Sequence, residues 1–187
     1  MKNKHLYLFF LTLALMSLAC SIFVGGPDYP ADPVPFSMEA VDSFRQQVEQ
    51  AMTIGAETGT FSLQINEEQL TSYLTLKMQE QANPPFTDPQ VLLRDGQMQI
   101  FGKIQRGYFL ANTAIILSVG INETGLPKIE VISADFGPFP APQGVNEAIG
   151  AIVAEAFTGS FGPAAIGLRL EVITIADGIM TLTGRLK

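Results

Sequence analysis

Two stretches of this chain share one pattern, and that pattern restricts the fold more than any other feature. "LRDGQMQIFGKI" runs from Leu93 to Ile104 and "IADGIMTLTGRL" from Ile175 to Leu186. Both read hydrophobic-x-Asp-Gly-x-Met-x-hydrophobic-x-Gly-basic-hydrophobic. An Asp-Gly pair between apolar alternations favours a two-residue type I′ turn, because both central residues need positive φ. Such a turn sets register. Arg94 then faces Gln97, Leu93 faces Met98 and Val91 faces Ile100, so apolar partners meet on one face. In the second copy Ile175 faces Met180 and Ile173 faces Leu182. Gly102 and Gly184 fall in the inward phase, where a missing side chain signals a bend, a bulge or a close approach. Leu168, Leu170 and Val172 lie out of phase with Ile173 and Ile175, which calls for a bulge near Val172 and Ile173 or for a strand apolar on both faces. Turn chemistry accounts for Asp95 and Asp177 without a catalytic role.

The remaining periodicities complete an α+β chain. Ser37 is placed to cap a first helix whose stripe is Met38, Val41, Phe44, Val48 and Met52. "TGTFSLQI" alternates as a strand. Asn66 caps a second helix with Glu67 and Glu68 in its first turn, where carboxylates favour the positive end of the helix dipole. Leu70, Tyr73, Leu74 and Met78 form its inner face. Strands follow from Pro89 to Gly137, and "GPFPAPQG" ends them. A third helix is expected from about Val145 to Thr158, apolar on nearly every side, before the last two strands. The order predicts an antiparallel sheet packed on helices within a single domain, residues 37–187.

The N-terminus carries a different signal. "MKNKHLYLFFLTLALMSLAC" has a basic start and an apolar run from Leu6 to Leu15, interrupted by Thr12. That run is shorter than the roughly 20 apolar residues of a spanning helix. It reads as a signal peptide, residues 1–19, with the chain's single cysteine, Cys20, directly after Ala19. This resembles a bacterial lipobox, although Ser17 stands where Leu is usual. Cys20 is then the lipidation site that holds the protein to membrane lipid, on the extracytoplasmic face. An ordinary signal with an incidental cysteine, or an anchor helix running on through "SIFVGG", are the other readings. Residues 20–36, rich in Gly and Pro, read as the lipidated cysteine and an extended flexible tether.

Composition excludes several classes of function. The net charge of −7 becomes −9 once Lys2 and Lys4 leave with the signal, which argues against nucleic acid as a partner. The only histidine is His5, so the mature chain has no histidine metal site and no His-dependent triad. No Gly-x-Ser-x-Gly elbow, phosphate loop or dinucleotide fingerprint occurs. No cofactor or metal is expected, and no enzyme, although scattered carboxylates could still meet in space. Arg94, Lys103, Arg106, Arg169, Arg185 and Lys187 lie in or beside strands, as solvated residues or as contacts for a lipid phosphate. What stands out is apolar surface: the third helix, and the strands around Ile115 and from Ile129 to Phe136, are apolar on more than one face. The bland account is a packed core. The functional one is an apolar groove for acyl chains, lined by Phe61, Leu63, Leu70, Leu74, Met98, Ile100, Leu117, Ile149, Ile152, Val153, Phe157, Met180 and Leu182.

"FSLQINEEQLTSYL", "PPFTDPQVLLRDGQMQIFGKI" and the closing "VITIADGIMTLTGRLK", with the long strands and the Pro-led apolar helix, resemble LmeA-like phospholipid-binding proteins and the related YpmS-like extracytoplasmic proteins. The resemblance extends from about Thr60 to Lys187. It implies a small relative of the tubular lipid-binding (TULIP, BPI-like) proteins: a long curved antiparallel sheet wrapped on two to three helices as a half-barrel, with a lipid groove between. The expected function is binding or transfer of phospholipid or another acyl-chain ligand by a membrane-anchored lipoprotein. A structural or interaction lipoprotein of the cell envelope with a fully packed core is the alternative.

Overall fold

Asp95 and Gly96 sit at φ 54° and 73°, and Asp177 and Gly178 at 52° and 76°, the two positive values that a type I′ turn needs. Both hairpins take the expected register: Leu93 opposes Met98, Val91 opposes Ile100, Ile175 opposes Met180 and Ile173 opposes Leu182. The computed structural model describes residues 21–141, 151 and 168–186. Within them the elements are β1 (Ile22–Phe23), α1 (Met38–Thr58), β2 (Thr60–Asn66), α2 (Glu67–Gln79), β3 (Thr87–Arg94), β4 (Gln97–Arg106), β5 (Phe109–Ile121), β6 (Pro127–Asp135), β7 (Leu168–Ala176) and β8 (Ile179–Leu186). The fold is mixed α+β, and its larger sheet is a strongly curled half-barrel.

The strands form two sheets, so the two Asp-Gly hairpins belong to different ones. The larger sheet runs β1-β5-β4-β3 with β6 also on β5, and the smaller runs β2-β8-β7. Both sheets turn their inward residues into one core with α1 and α2. The alternation is clean in β2, where Phe61, Leu63 and Ile65 are buried between exposed neighbours. In β7 the phase break resolves as a bulge at Glu171: Leu170 opposes Gly184, while Val172 already opposes Thr183. Leu170 and, beyond the bulge, Ile173 and Ile175 therefore all reach the core.

Each inward glycine marks a close approach. A Cβ on Gly102 would lie 2.5 Å from the Phe86 ring, and one on Gly184 would collide with the Arg169 carbonyl at the bulge. Side chains satisfy the helix starts as expected. Ser37 Oγ accepts from Ala40 N–H at 3.1 Å. Asn66 Oδ1 accepts from Gln69 N–H at 2.8 Å, and Gln69 Oε1 accepts from Asn66 N–H at 3.1 Å, a reciprocal capping box.

The segment read as a flexible tether is extended but docked. Ile22 and Phe23 pair in parallel with Phe109 and Leu110. Val24 N–H donates to the Leu110 carbonyl at 2.8 Å, and Asn112 N–H donates to the Gly25 carbonyl at 3.0 Å. Farther along, the Gln90 amide holds both backbone groups of Val34, accepting at 2.7 Å and donating at 3.0 Å. Gly and Pro deny this segment a helix or a central strand, but they leave it free to lie on an edge.

Candidate functional site

The predicted groove residues fall into two groups. Phe61, Leu63, Leu74, Met98, Ile100, Leu117, Met180 and Leu182 are at most 7% exposed and join one continuous core, and Leu70 packs against it partly buried. Among the described residues they pack together between the sheets. Periodicity identifies the inward phase of a strand, and that phase is the same whether the interior is packed or hollow. Cys20, Ile149, Ile152, Val153 and Phe157, with the segment read as a signal peptide and, apart from Ala151, the segment read as a third helix, lie outside the described residues.

The core face of α2 also closes one margin of the larger sheet. β3 is the edge strand there, and its outward N–H groups at Val91 and Leu93 would otherwise lack partners. Thr71 Oγ1 accepts from Val91 N–H at 3.0 Å, and Glu67 Oε1 accepts from Leu93 N–H at 2.7 Å. The match is geometric. Four residues of helix rise about 6 Å and two residues of strand span about 6.7 Å, so groups at i and i+4 meet alternate strand amides. Glu67 also pairs with the Arg94 guanidinium. Gly178, in the other Asp-Gly turn, lies against this pair, with its Cβ direction 3.5 Å from the Arg94 guanidinium. The two hairpin tips thus converge at the N-terminus of α2. This carboxylate is structural, and sequence reasoning saw only its helix-start role.

The other basic residues are mostly engaged. Lys103 pairs with Asp88 at 2.9 Å and lies 5.1 Å from the Tyr29 ring centre. Arg185 pairs with Glu171 at 3.0 Å. Arg169 donates to the Thr124 and Glu123 carbonyls, at 3.2 and 3.4 Å, and so holds the β5–β6 turn onto β7. Arg106, at the tip of the β4–β5 hairpin, is exposed and has no acidic partner among the described residues. Lys187 lies outside them. The Tyr29 hydroxyl donates to the Asp88 carbonyl at 2.8 Å. Burial, and then the Asp88 charge, push its pKa above the usual 10.0, against a smaller opposing effect from Gln90.

Among the described residues the opposite margin is open. β6 pairs with β5 along 114–121 and slips by one residue at Ile132, which leaves Ile132 53% and Val131 41% exposed. Beyond its end the chain turns, with Asp135 Oδ1 accepting from Gly137 N–H at 2.8 Å. There a cleft of about 620 Å³ opens between Val131, Ala134, Asp135, Phe136, Gly137, Phe139 and Ala141. Gly137, at φ 59°, lies so close to Gly26 that a Cβ would stand 2.9 Å from the Gly26 Cα. The cleft therefore abuts the docked N-terminal segment. Sequence reasoning missed it as a site, but the signal was present in the two-faced apolarity of Ile129 to Phe136.

Among the described residues no buried polar side-chain atom lacks a hydrogen-bond partner, and no three His, Cys, Asp or Glu side chains gather as metal ligands would. No helix among them is long and apolar enough to cross a membrane. Comparison of the chain with protein-family models, with curated proteins and with solved structures finds no match.

Proposed function

We propose that this chain is a lipoprotein held on the extracytoplasmic face of a bacterial membrane through acylated Cys20, and that its domain binds or transfers lipid in the cleft beside β6. The cleft carries this reading. Its volume lies within the roughly 300–1,000 Å³ of small-molecule sites, and Val131, Phe136 and Phe139 supply the apolar part of a lining that is about half polar. An acyl chain laid there gains about 0.8 kcal/mol for each methylene it buries. The exposed strand face at Val131 and Ile132 extends the apolar track beyond the cleft.

The protein beginning at Ser21, which keeps the docked segment and removes the anchor, tests the reading. Native mass spectrometry is expected to find co-extracted lipid. A bare polypeptide mass would sink it. A second reading, a structural or interaction lipoprotein, draws on the closed core of Phe61, Leu117 and Leu182, and it takes the bare mass as its own prediction. Attachment is tested separately. Cys20→Ser is expected to release the protein or leave an unprocessed precursor, and unchanged processing and attachment would contradict a lipobox.

A further inference from the structure

The chain carries a second apolar surface, at the end of the larger sheet where the N-terminal segment docks. Ile22 and Phe23 are 55% and 58% exposed, and the neighbouring Tyr108 and Phe109 are 58% and 46% exposed. Ile22 N–H donates to the Tyr108 carbonyl at 2.6 Å, and Ile22 pairs with Phe109 while Phe23 pairs with Leu110, so the four exposed side chains gather at one end of the sheet. Arg106 stands opposite Phe109 at the same hairpin tip. We infer that this patch is a membrane-docking face, with its aromatic side chains in the headgroup region of the bilayer and Arg106 against anionic lipid phosphate.

Three observations lead to a bilayer as the occupant. The first is covalent: Cys20 is two residues before Ile22, so their Cα atoms are at most about 7.6 Å apart. The inference rests on the proposed attachment at the N-terminus, which puts the membrane surface at this end of the sheet. The second is composition, since Tyr and Phe with a flanking Arg suit an interface where one end is apolar and the other wet. The third is charge. The chain has 18 acidic residues, yet none precedes Asp28 and none lies between Asp95 and Glu123. An acidic protein near an anionic surface is repelled least through segments that carry no acid of their own, and a basic residue on them adds attraction.

The absence of Trp from the chain provides the test. Tyr108→Trp and, separately, Ile54→Trp place single fluorescent reporters in the full-length protein. Ile54 is as exposed, 55%, but lies on α1, which packs on β2, β8 and α2. Each variant is expressed with its own N-terminus and reconstituted into phosphatidylethanolamine and phosphatidylglycerol vesicles carrying brominated acyl chains. The reporter at 108 is expected to shift to the blue and lose most of its emission, while the one at 54 keeps most of its own. Adding Arg106→Glu to the first variant is expected to restore emission on these vesicles. Equal quenching of the two reporters, or none of either, overturns the docking face. The mass of the peptide containing Cys20, read on the same samples, separates the two ideas. Acylated Cys20 without selective quenching at 108 defeats the docking face alone, and unmodified Cys20 with selective quenching defeats the lipoprotein reading alone.

Discussion

The two margins of the larger sheet are finished in opposite ways. At β3 the edge amides are taken by Thr71 and Glu67 from α2, and Gln90 binds the backbone of Val34. At the far side β1 and β6 share the outer edge of β5, Val131 and Ile132 are exposed, and a cleft opens at the end of β6. An edge strand is a template for unwanted pairing unless it is covered, shortened or bulged. One margin is covered, while the other has a two-residue strand and a bulged strand. Apolar surface that the described residues leave uncovered at the second margin is where binding is to be sought.

Substitutions can break this contrast, and the largest effect is expected inside the sealed part. Leu182, with no exposed surface, should lose about 2–5 kcal/mol on change to alanine. Val131→Ala at the open margin should stay within about 0.5 kcal/mol, as exposed positions do. Urea unfolding of both variants checks the pair, and similar losses would deny that the margins differ. Thr71→Val comes next. It keeps the shape but leaves Val91 N–H without an acceptor, at a cost of about 1–3 kcal/mol. Faster amide exchange at Val91 should accompany it, and unchanged exchange would show that Thr71 does not seal the edge. Asn66→Ala, which removes half of the capping box, should cost about 1 kcal/mol.

The smallest effect is a pH dependence. The raised pKa of Tyr29 means that the folded protein holds this proton more tightly than the unfolded chain does. Its contribution is therefore intact below pH 10.0 and is lost as pH rises through the higher folded value. Urea midpoints should decline across that alkaline window, and Tyr29→Phe should flatten part of the decline. An identical slope in the variant would remove Tyr29 from the docking of the N-terminal segment.

What could be read before the structure was whatever local chemistry dictates. The Asp-Gly turns fix hairpin register because only a two-residue turn with positive φ fits them, and the bulge in β7 follows from a break in alternation. Ser37 and Asn66 announce helix starts by residue type. The docking of residues 21–36 was not legible, because its partners Asp88, Gln90 and Asn112 lie more than fifty residues away. Nor was the division into two sheets, since hairpin register does not say which hairpins pair with each other. The groove residues were legible only as inward-facing, for a related reason. An inward Leu182 looks the same in sequence whether it meets Phe61 and Leu117 or an acyl chain.

The direct test of the open margin uses a phospholipid with a diazirine on its acyl chain, photolysed with the full-length protein and followed by peptide mapping. The account predicts adducts concentrated on the peptide spanning Val131 to Ala141, with Met180 and Leu182 unlabelled. Labelling centred on Met180 and Leu182, or no labelling of the 131–141 peptide above that of α1, would contradict it.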